Sequence, residues 1–472
     1  MNAVKFCKSL SGSNVLTLPS LNPRPLTPVR CYNPSRMASG PIQLLQKATP
    51  AQRRTLLAAA LGWMLDAFDA MLYALVLTYV MHDLGMTKAT SGLLYTLTLL
   101  ASGIGGVGFG FLADRIGRKR ALMFSILTYS ICSFASGLST TVLMLAVFRF
   151  ILGLGMGGEW NTGASLVAET WPNELRAKAL AIVQSSWAIG YALAALVAGI
   201  VLRYANWRFV FFVGILPALV TLWLRRSVPE SQMWLNQRNH DSGHEGLSYE
   251  EQGHEEQQRP LVDHRRESRA SFSAIFRPPY GKSTIVLLLL NFFGLFAWWG
   301  LFTWIPPYLS LAIAQGGRGF SVLRTTTLLI VLNLVGMFPG YLTFGWVADY
   351  LGRRKAFVLY LFSAALVVPF YAAARSQIAL LVLGTIVAFF GTGFFSGSGL
   401  IGSEIFPTSL RARALGFTYN GARTLSCVAP WIIGWVGQTK GLAWAFYLCA
   451  GAFLLASVMA TQLPETKGKR LE

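Results

Sequence analysis

The chain has 472 residues, of which 54% are hydrophobic and only 13% charged, with a mean hydropathy of +0.49. Soluble globular proteins are about a quarter charged, so this class is excluded. The long unbroken apolar runs also exclude transmembrane β-barrels, whose strands alternate apolar and polar residues. The composition predicts an all-α membrane protein.

The formal net charge of +20 would suit a nucleic-acid-binding protein, but the positions of the charges do not. If about twelve apolar runs cross the bilayer, most of the 40 Lys and Arg residues lie on the side that holds both termini. Such an excess marks the cytoplasmic side. We therefore predict a multi-pass protein of the cell (inner) membrane with both termini cytoplasmic and no nucleic-acid partner. The other side carries few basic residues: Lys88, Arg203, Arg208, Arg318, Arg324, Arg375 and Lys440.

Along the chain, residues 1–50 lack Asp and Glu and are predicted to form a disordered N-terminal tail; a transit segment and a true start at Met37 are the alternatives. Six apolar runs over 51–228 form an N-terminal bundle, and the polar residues 229–281 form a cytoplasmic linker. Six more runs over 282–463 form a C-terminal bundle, followed by a cytoplasmic tail at 464–472. The scattered cysteines and histidines have no ligand spacing, so neither a metal nor a cofactor is expected.

A basic turn, Gly110–Arg120, is repeated 235 residues later as Gly345–Lys355. Two further motif pairs keep the same offset: Glu169 and Arg176 recur as Glu404 and Arg411, and Pro229-Glu230-Ser231 recurs as Pro464-Glu465-Thr466. Repeats at one offset indicate a duplicated unit. We predict two six-helix bundles, twelve transmembrane helices in all, related by a pseudo-two-fold axis along the membrane normal. This layout places a substrate site at mid-membrane between the halves.

The repeated turn resembles the signature of the major facilitator superfamily of secondary transporters, over about residues 52–470. The resemblance implies that the Asp of each turn caps a neighbouring helix and that short ion pairs hold the cytoplasmic gate shut. Glu169 with Arg176, and Glu404 with Arg411, are expected to join the gate. The implied gating residues are Asp114, Arg118, Glu169, Arg176, Asp349, Arg353, Glu404 and Arg411.

Within the superfamily, Asp66-Ala-Phe-Asp69 is similar to a motif of proton-coupled aromatic-acid and sialic-acid symporters. Gly153–Glu159 and Leu415–Asn420 resemble the sialic-acid branch, which includes monocarboxylate carriers. The resemblance implies a carboxylate cargo and proton coupling.

Five formal charges lie inside the predicted spans: Asp66, Asp69, Arg149, Glu159 and Arg423. A charge at mid-bilayer costs about 2.5–3.5 kcal/mol, so each is a functional hypothesis. Asp66 and Asp69 share a helix face with Tyr73. Since two such carboxylates cannot easily both be ionised in a low dielectric, they suit a proton carrier. Glu159 is either a second titrating site or an acid satisfied by packing.

The two arginines are candidates for binding an organic anion, because a guanidinium can hold a carboxylate with two hydrogen bonds. Arg149 has small neighbours that would let the first helix approach, so an ion pair with an Asp of that helix is the alternative. Arg423 shares a face with Tyr419 and Asn420; its alternatives are a pair with Glu404 or a backbone carbonyl. Further candidates to line the path are Tyr73, Gln184 and Trp299.

The sequence therefore predicts a secondary active transporter that imports an organic carboxylate (a monocarboxylate, sugar acid or aromatic acid) by proton symport with alternating access. Its partners would be the small-molecule anion, protons and the lipid bilayer, and it would act as a monomer. A proton-coupled sugar porter and an efflux antiporter are the alternatives. An enzyme is not expected, because no catalytic motif lies on the spans.

Overall fold

The computed structural model describes residues 48–219 and 272–467, together with residues 221, 223, 230, 234 and 235. Within this part every regular element is helical. Most of the predicted tail 1–50 and linker 229–281, and residues 468–472 of the predicted C-terminal tail, lie outside the described residues. The predicted domain boundaries stay predictions.

Within residues 50–213 and within residues 281–461 the helices follow one another through short loops, so consecutive helices there run antiparallel. In the described part of the chain, nine helices are long and apolar enough to cross a membrane. We define the turn face by the loops at 114–118 and 349–353, and the opposite face by the loops at 84–87 and 440–441. The elements are α1 (Pro50–Asp83), α2 (Lys88–Ile116), α3 (Arg118–Gly137), α4 (Val142–Thr170), α5 (Asn173–Tyr204), α6 (Trp207–Val213), α7 (Gly281–Ser310), α8 (Val322–Leu351), α9 (Arg353–Ala373), α10 (Gln377–Ile405), the helical run α11 (408–439) and α12 (Leu442–Thr461).

Helix α11 is not one regular span. A π-helical segment, Gly416–Gly421, and a 3-10 segment, Ser426–Val428, interrupt it. A π segment leaves backbone groups without their usual helical partners. Here the carbonyl of Thr418 accepts a hydrogen bond from Asn291 Nδ2 of α7 at 3.2 Å, and Ser398 Oγ of α10 donates to Asn291 Oδ1 at 2.8 Å. Side chains from two other helices thus support the irregular backbone.

Glycines bring α2 and α4 into backbone contact. A Cβ at Gly105, Gly153 or Gly157 would overlap a carbonyl of the facing helix. The expectation that the small residues beside Arg149 admit α1 is therefore wrong for Gly153, which faces Thr98 of α2.

Helices from the two parts of the chain meet most closely near the opposite face. A Cβ at Gly92 of α2 would overlap the Pro430 carbonyl of α11, and one at Gly434 of α11 would lie 2.5 Å from the Lys88 carbonyl. Lys88 Nζ also donates to the carbonyls of Gln315 at 2.7 Å and Gly437 at 3.3 Å. These contacts join α2 to α11 and to the loop after α7.

Each basic turn pivots on a glycine with a positive φ. Gly117 has a φ of 100° and Gly352 a φ of 103°, a conformation that L side chains rarely adopt. Space is restricted as well, since a Cβ at Gly352 would lie 2.6 Å from Glu465 Oε2. Both features require glycine where α8 passes into α9.

We predict that Gly352→Ala destabilises the protein by about 1–3 kcal/mol, because alanine would add backbone strain and displace the Glu465 carboxylate. The purified protein should show a lower melting temperature. Gly345→Ala, in the same motif, is the control: its Cβ would meet nothing within 4 Å, and alanine favours the helix by up to about 1 kcal/mol. Equal melting temperatures for the two variants would contradict the argument.

Candidate functional site

A stripe of residues on one face of α1 carries the two predicted aspartates. Gly62, Asp66, Asp69 and Tyr73 follow the spacing at which helical side chains share a face, and both aspartates are fully buried. Asp69 Oδ1 accepts a hydrogen bond from Ser133 Oγ of α3 at 2.7 Å. Neither oxygen of Asp66 has a hydrogen-bond partner among the described residues. The two aspartates therefore lie together but differ in their surroundings.

Arg149 of α4 lies beside the end of this stripe that is nearer the opposite face. Its guanidinium carbon is 4.9 Å from the centre of the Tyr73 ring, a cation–π contact. Asp69 is the carboxylate whose charge acts on it, together with the Tyr73 and Tyr95 hydroxyls. The expected direct ion pair is not formed: within the described residues no carboxylate lies within 4 Å, and none of the three guanidinium nitrogens has a hydrogen-bond partner.

Glu159 of α4 lies against the other end of the stripe. It is 1% exposed, and its Oε1 occupies the place where a Cβ of Gly62 would stand. Gly62 is one helical turn before Asp66, and the charge of Asp66 acts on Glu159. Glu159 thus continues the row of buried acids along α1.

Arg423 of α11 links the two parts of the chain. Its Nη2 donates to Ser102 Oγ of α2 at 3.0 Å, and its charge acts on both Asp66 and Glu159. It does not pair with Glu404, the predicted structural alternative, which binds Arg353 instead. Tyr419 and Asn420 precede it in the π segment and are half-buried.

An aromatic cluster adjoins Arg149 through Tyr95. Trp187 of α5 is 5.9 Å from Trp298 and 6.0 Å from Trp299 of α7, measured between ring centres. Trp299 in turn lies 5.9 Å from Tyr95 of α2. The indole N–H groups of the three tryptophans have no acceptor among the described residues. The predicted lining residue Gln184 is buried one turn before Trp187.

The predicted gating residues come together at the turn face, with different partners from those expected. Arg118 binds Asp114 at 2.6 Å and Glu169 at 3.1 Å. Arg353 repeats this pattern with Asp349 at 2.5 Å and Glu404 at 2.9 Å. The expected pairing of Glu169 with Arg176 is not formed.

Each Asp of the turn binds an arginine rather than capping a helix, so that expectation is corrected too. Arg411, the expected partner of Glu404, donates from Nε to the Phe406 carbonyl.

The helix caps come instead from the Pro-Glu motifs. Glu230 Oε1 accepts from the Lys119 N–H at 3.0 Å at the start of α3, and Glu465 accepts from Arg353 at 2.8 Å at the start of α9. Partial burial would raise the pKa of Glu465, but backbone N–H groups of the turn and of its own segment lower it below the ordinary value. The cap is therefore charged at neutral pH, as the positive end of a helix dipole favours.

Sequence reasoning missed the neutral partners of the buried charges. Ser102, Ser133 and Gly62 carry no charge and belong to no motif, so only their positions in space reveal their contacts. The role of Asn291, which supports α11, could have been expected from the sequence, because an amide in an otherwise apolar helix needs a hydrogen-bond partner.

Comparisons with known proteins identify the family and the fold of the chain. The family described as "Sugar (and other) transporter" matches residues 46–472. A probable 4-methylmuconolactone transporter of Cupriavidus pinatubonensis is 32% identical, covering 90% of this chain and 93% of that protein. The sialic acid transporter NanX of Escherichia coli is 31% identical, and the match covers 89% of this chain and 96% of that protein. A solved D-xylose-proton symporter superposes with a TM-score of 0.68 at 20% identity, and the match covers 88% of this chain and 99% of that one. This likeness concerns the fold alone.

We predict that Glu404→Gln destabilises the protein more than Asp349→Asn, although both remove a carboxylate from Arg353. The Glu404 side chain is 9% exposed and the Asp349 side chain 55%. A shielded charged hydrogen bond contributes about 1.5–3 kcal/mol, whereas an exposed pair contributes about 0–1 kcal/mol. Melting temperatures of the two variants test this order, and the reverse order would contradict it.

Proposed function

This chain belongs to the sugar-transporter family of the major facilitator superfamily, and we propose that it imports an organic carboxylate together with protons by alternating access. It is a multi-pass membrane transport protein, and its relatives and fold are those of transporters rather than enzymes. The cargo would be a monocarboxylate, sugar acid or aromatic acid.

The observation that carries this proposal is the pair of buried guanidinium groups. Arg149 is fully buried without a hydrogen-bond partner among the described residues, and Arg423 is 7% exposed with Nε likewise unpartnered. A buried, incompletely paired cation is costly. A cargo carboxylate would offset this cost with two charge-assisted hydrogen bonds. A neutral cargo would not.

Proton coupling follows from the acids beside the arginines. When Asp69 is ionised, its charge competes with a cargo anion for Arg149; once protonated, it no longer does. In the same way, Asp66 and Glu159 compete with a cargo anion for Arg423 when they are ionised, and do not when they are protonated. Proton and anion therefore favour each other's binding, which is the thermodynamic requirement for symport.

The transport cycle would use the contacts at both faces. The Arg118 and Arg353 ion pairs, each within one half of the chain, would rearrange as the turn face opens. Separating Lys88 from the carbonyls of Gln315 and Gly437 would open the opposite face. The cargo would lie between them, near Gln184, Tyr73 and Trp299.

We propose that the nine apolar helices, together with α3, α6 and α11, form twelve spans in two six-helix bundles related by a pseudo-two-fold axis. The 235-residue repeat and the matching contacts of the two basic turns support this symmetry. The basic turn face would be cytoplasmic, with both termini, in the inner membrane of a cell. The protein would act as a monomer.

A proton-coupled sugar porter is the second candidate. The family description and the fold of the D-xylose-proton symporter favour it. An efflux antiporter would use the same acids and arginines but move cargo outward.

We predict uptake of carboxylates by proteoliposomes when the outside is more acidic than the inside. Nicotinate, N-acetylneuraminate and D-xylose, each radiolabelled, would be offered separately. Acid-driven accumulation of the two acids supports the proposal. Accumulation of xylose alone would favour the sugar porter, and accumulation only with an inside-acid gradient would favour efflux by antiport.

We predict that Arg423→Ala lowers carboxylate affinity at least about a hundredfold, because the loss of a buried charged hydrogen-bonding group costs about 3 kcal/mol or more. Binding to the purified protein is measured by calorimetry with the acid that gives uptake. Arg324→Ala is the matched control, since this arginine is exposed near the opposite face. Unchanged affinity in a folded Arg423→Ala protein would remove this residue from the site.

A further inference from the structure

Among the described residues, buried acidic groups outnumber buried basic groups. Three acids and two arginines are less than 9% exposed, so with every group ionised the set has a net charge of −1. Its members are Asp66, Asp69, Arg149, Glu159 and Arg423. A net charge inside the hydrocarbon region costs several kcal/mol. The resting protein therefore favours a state in which one of these acids carries a proton.

The five charges fall into two groups. Asp69 has Arg149 as its cation and a hydrogen bond from Ser133, so this group is balanced. Asp66 and Glu159 share Arg423, and their own charges oppose each other. The excess negative charge thus belongs to the second group.

The surroundings of Asp66 and Glu159 support this assignment. Both oxygens of Asp66 and one of Glu159 accept no hydrogen bond from the described residues, whereas Asp69 accepts one. The other titratable groups that act on the two acids are the Tyr129 hydroxyl of α3, the Tyr95 hydroxyl of α2 and Asp69 itself. None of these supplies a positive charge. The glycine at position 62 brings the Glu159 carboxylate onto α1, one turn from Asp66.

We propose that the ligand-free protein keeps one resident proton shared by Asp66 and Glu159, and that a monoanionic cargo enters with one additional proton, so that transport is electroneutral. The inference rests on the proposed carboxylate–proton symport. With the resident proton the empty set of five groups is neutral. A monoanion adds one negative charge, and one proton taken up by a carboxylate restores neutrality. The same proton leaves with the anion, and the resident proton stays.

The test uses the full-length protein in proteoliposomes, with nicotinate and N-acetylneuraminate as monoanionic probes. A gradient of one pH unit should drive about tenfold accumulation, the limit for one proton per anion. A potassium diffusion potential set with valinomycin should leave the accumulation unchanged. About a tenfold change per 60 mV, the expectation for one net charge per cycle, would overturn the inference.

A double variant tests where the resident proton lies. In Asp66→Asn/Glu159→Gln the remaining buried charges are Asp69, Arg149 and Arg423, with a net charge of +1. An anion would then bind without a proton, so the pH gradient should no longer drive accumulation and an inside-negative potential should oppose it. Accumulation that still follows the pH gradient tenfold would overturn the assignment. Asp83→Asn, which removes an exposed carboxylate paired with Arg208, is the control and should keep the pH dependence.

A measurement on the unmodified protein keeps the proposal testable if the double variant does not fold. Infrared spectroscopy of the ligand-free protein at pH 7 should show a protonated-carboxyl band, and its absence would overturn the inference. The proposed function fails separately: if neither probe exchanges across the liposome membrane without any gradient, carboxylate transport itself is contradicted. If exchange occurs but accumulation follows the membrane potential, only the charge balance is wrong.

Discussion

The energy of a charge in a low dielectric governs the interior of this protein. Many neutral polar groups of the described spans are satisfied locally: serine and threonine hydroxyls such as those of Ser136 and Thr392 bond carbonyls of their own helices, and Tyr191 and Tyr308 donate to carbonyls of neighbouring helices. The five buried charges cannot be satisfied in this way, because a carboxylate or guanidinium needs a counter-ion as well as hydrogen bonds. They are concentrated on α1, α4 and α11, where helices from the two parts of the chain come together. In the proposed mechanism, the demand for a counter-ion makes this interface responsive to a proton or an anion.

The contacts at the two faces differ in kind. At the turn face, Arg118 and Arg353 are bound by carboxylates, and each pattern is repeated in the second copy of the motif. At the opposite face, a single ammonium from Lys88 bonds neutral carbonyls, and glycines allow backbone contact. Carboxylate–arginine pairs occur at both faces, since Asp83 binds Arg208 near the opposite face, but the close backbone contact between the two parts of the chain lies near the opposite face.

The sequence was informative where a residue type is rare among its neighbours in the chain. In an apolar chain, Asp66 or Arg423 is conspicuous, and a repeated turn of Gly, Asp and Arg is specific enough to indicate both family and fold. Contacts between common residues were not predictable. Glu169 has Arg176 close to it in the chain, and only the packing of α2 and α3 against α4 decides that Arg118, 51 residues away, is its partner. The π segment of α11 likewise depends on Asn291 and Ser398 from other helices, which the local sequence of α11 does not encode.

The caps of α3 and α9 have a consequence for biogenesis. Each helix start receives its carboxylate from a segment more than a hundred residues later: Glu230 for α3 and Glu465 for α9. Spans enter the membrane in the order of their synthesis, so α9 is inserted well before its cap has been translated. The second basic turn reaches its final form only after the segment around Glu465 has been synthesised. Glu465 thus completes a turn formed more than a hundred residues earlier, and a protein shortened before Glu465 would keep every apolar helix described above yet lack the cap of that turn.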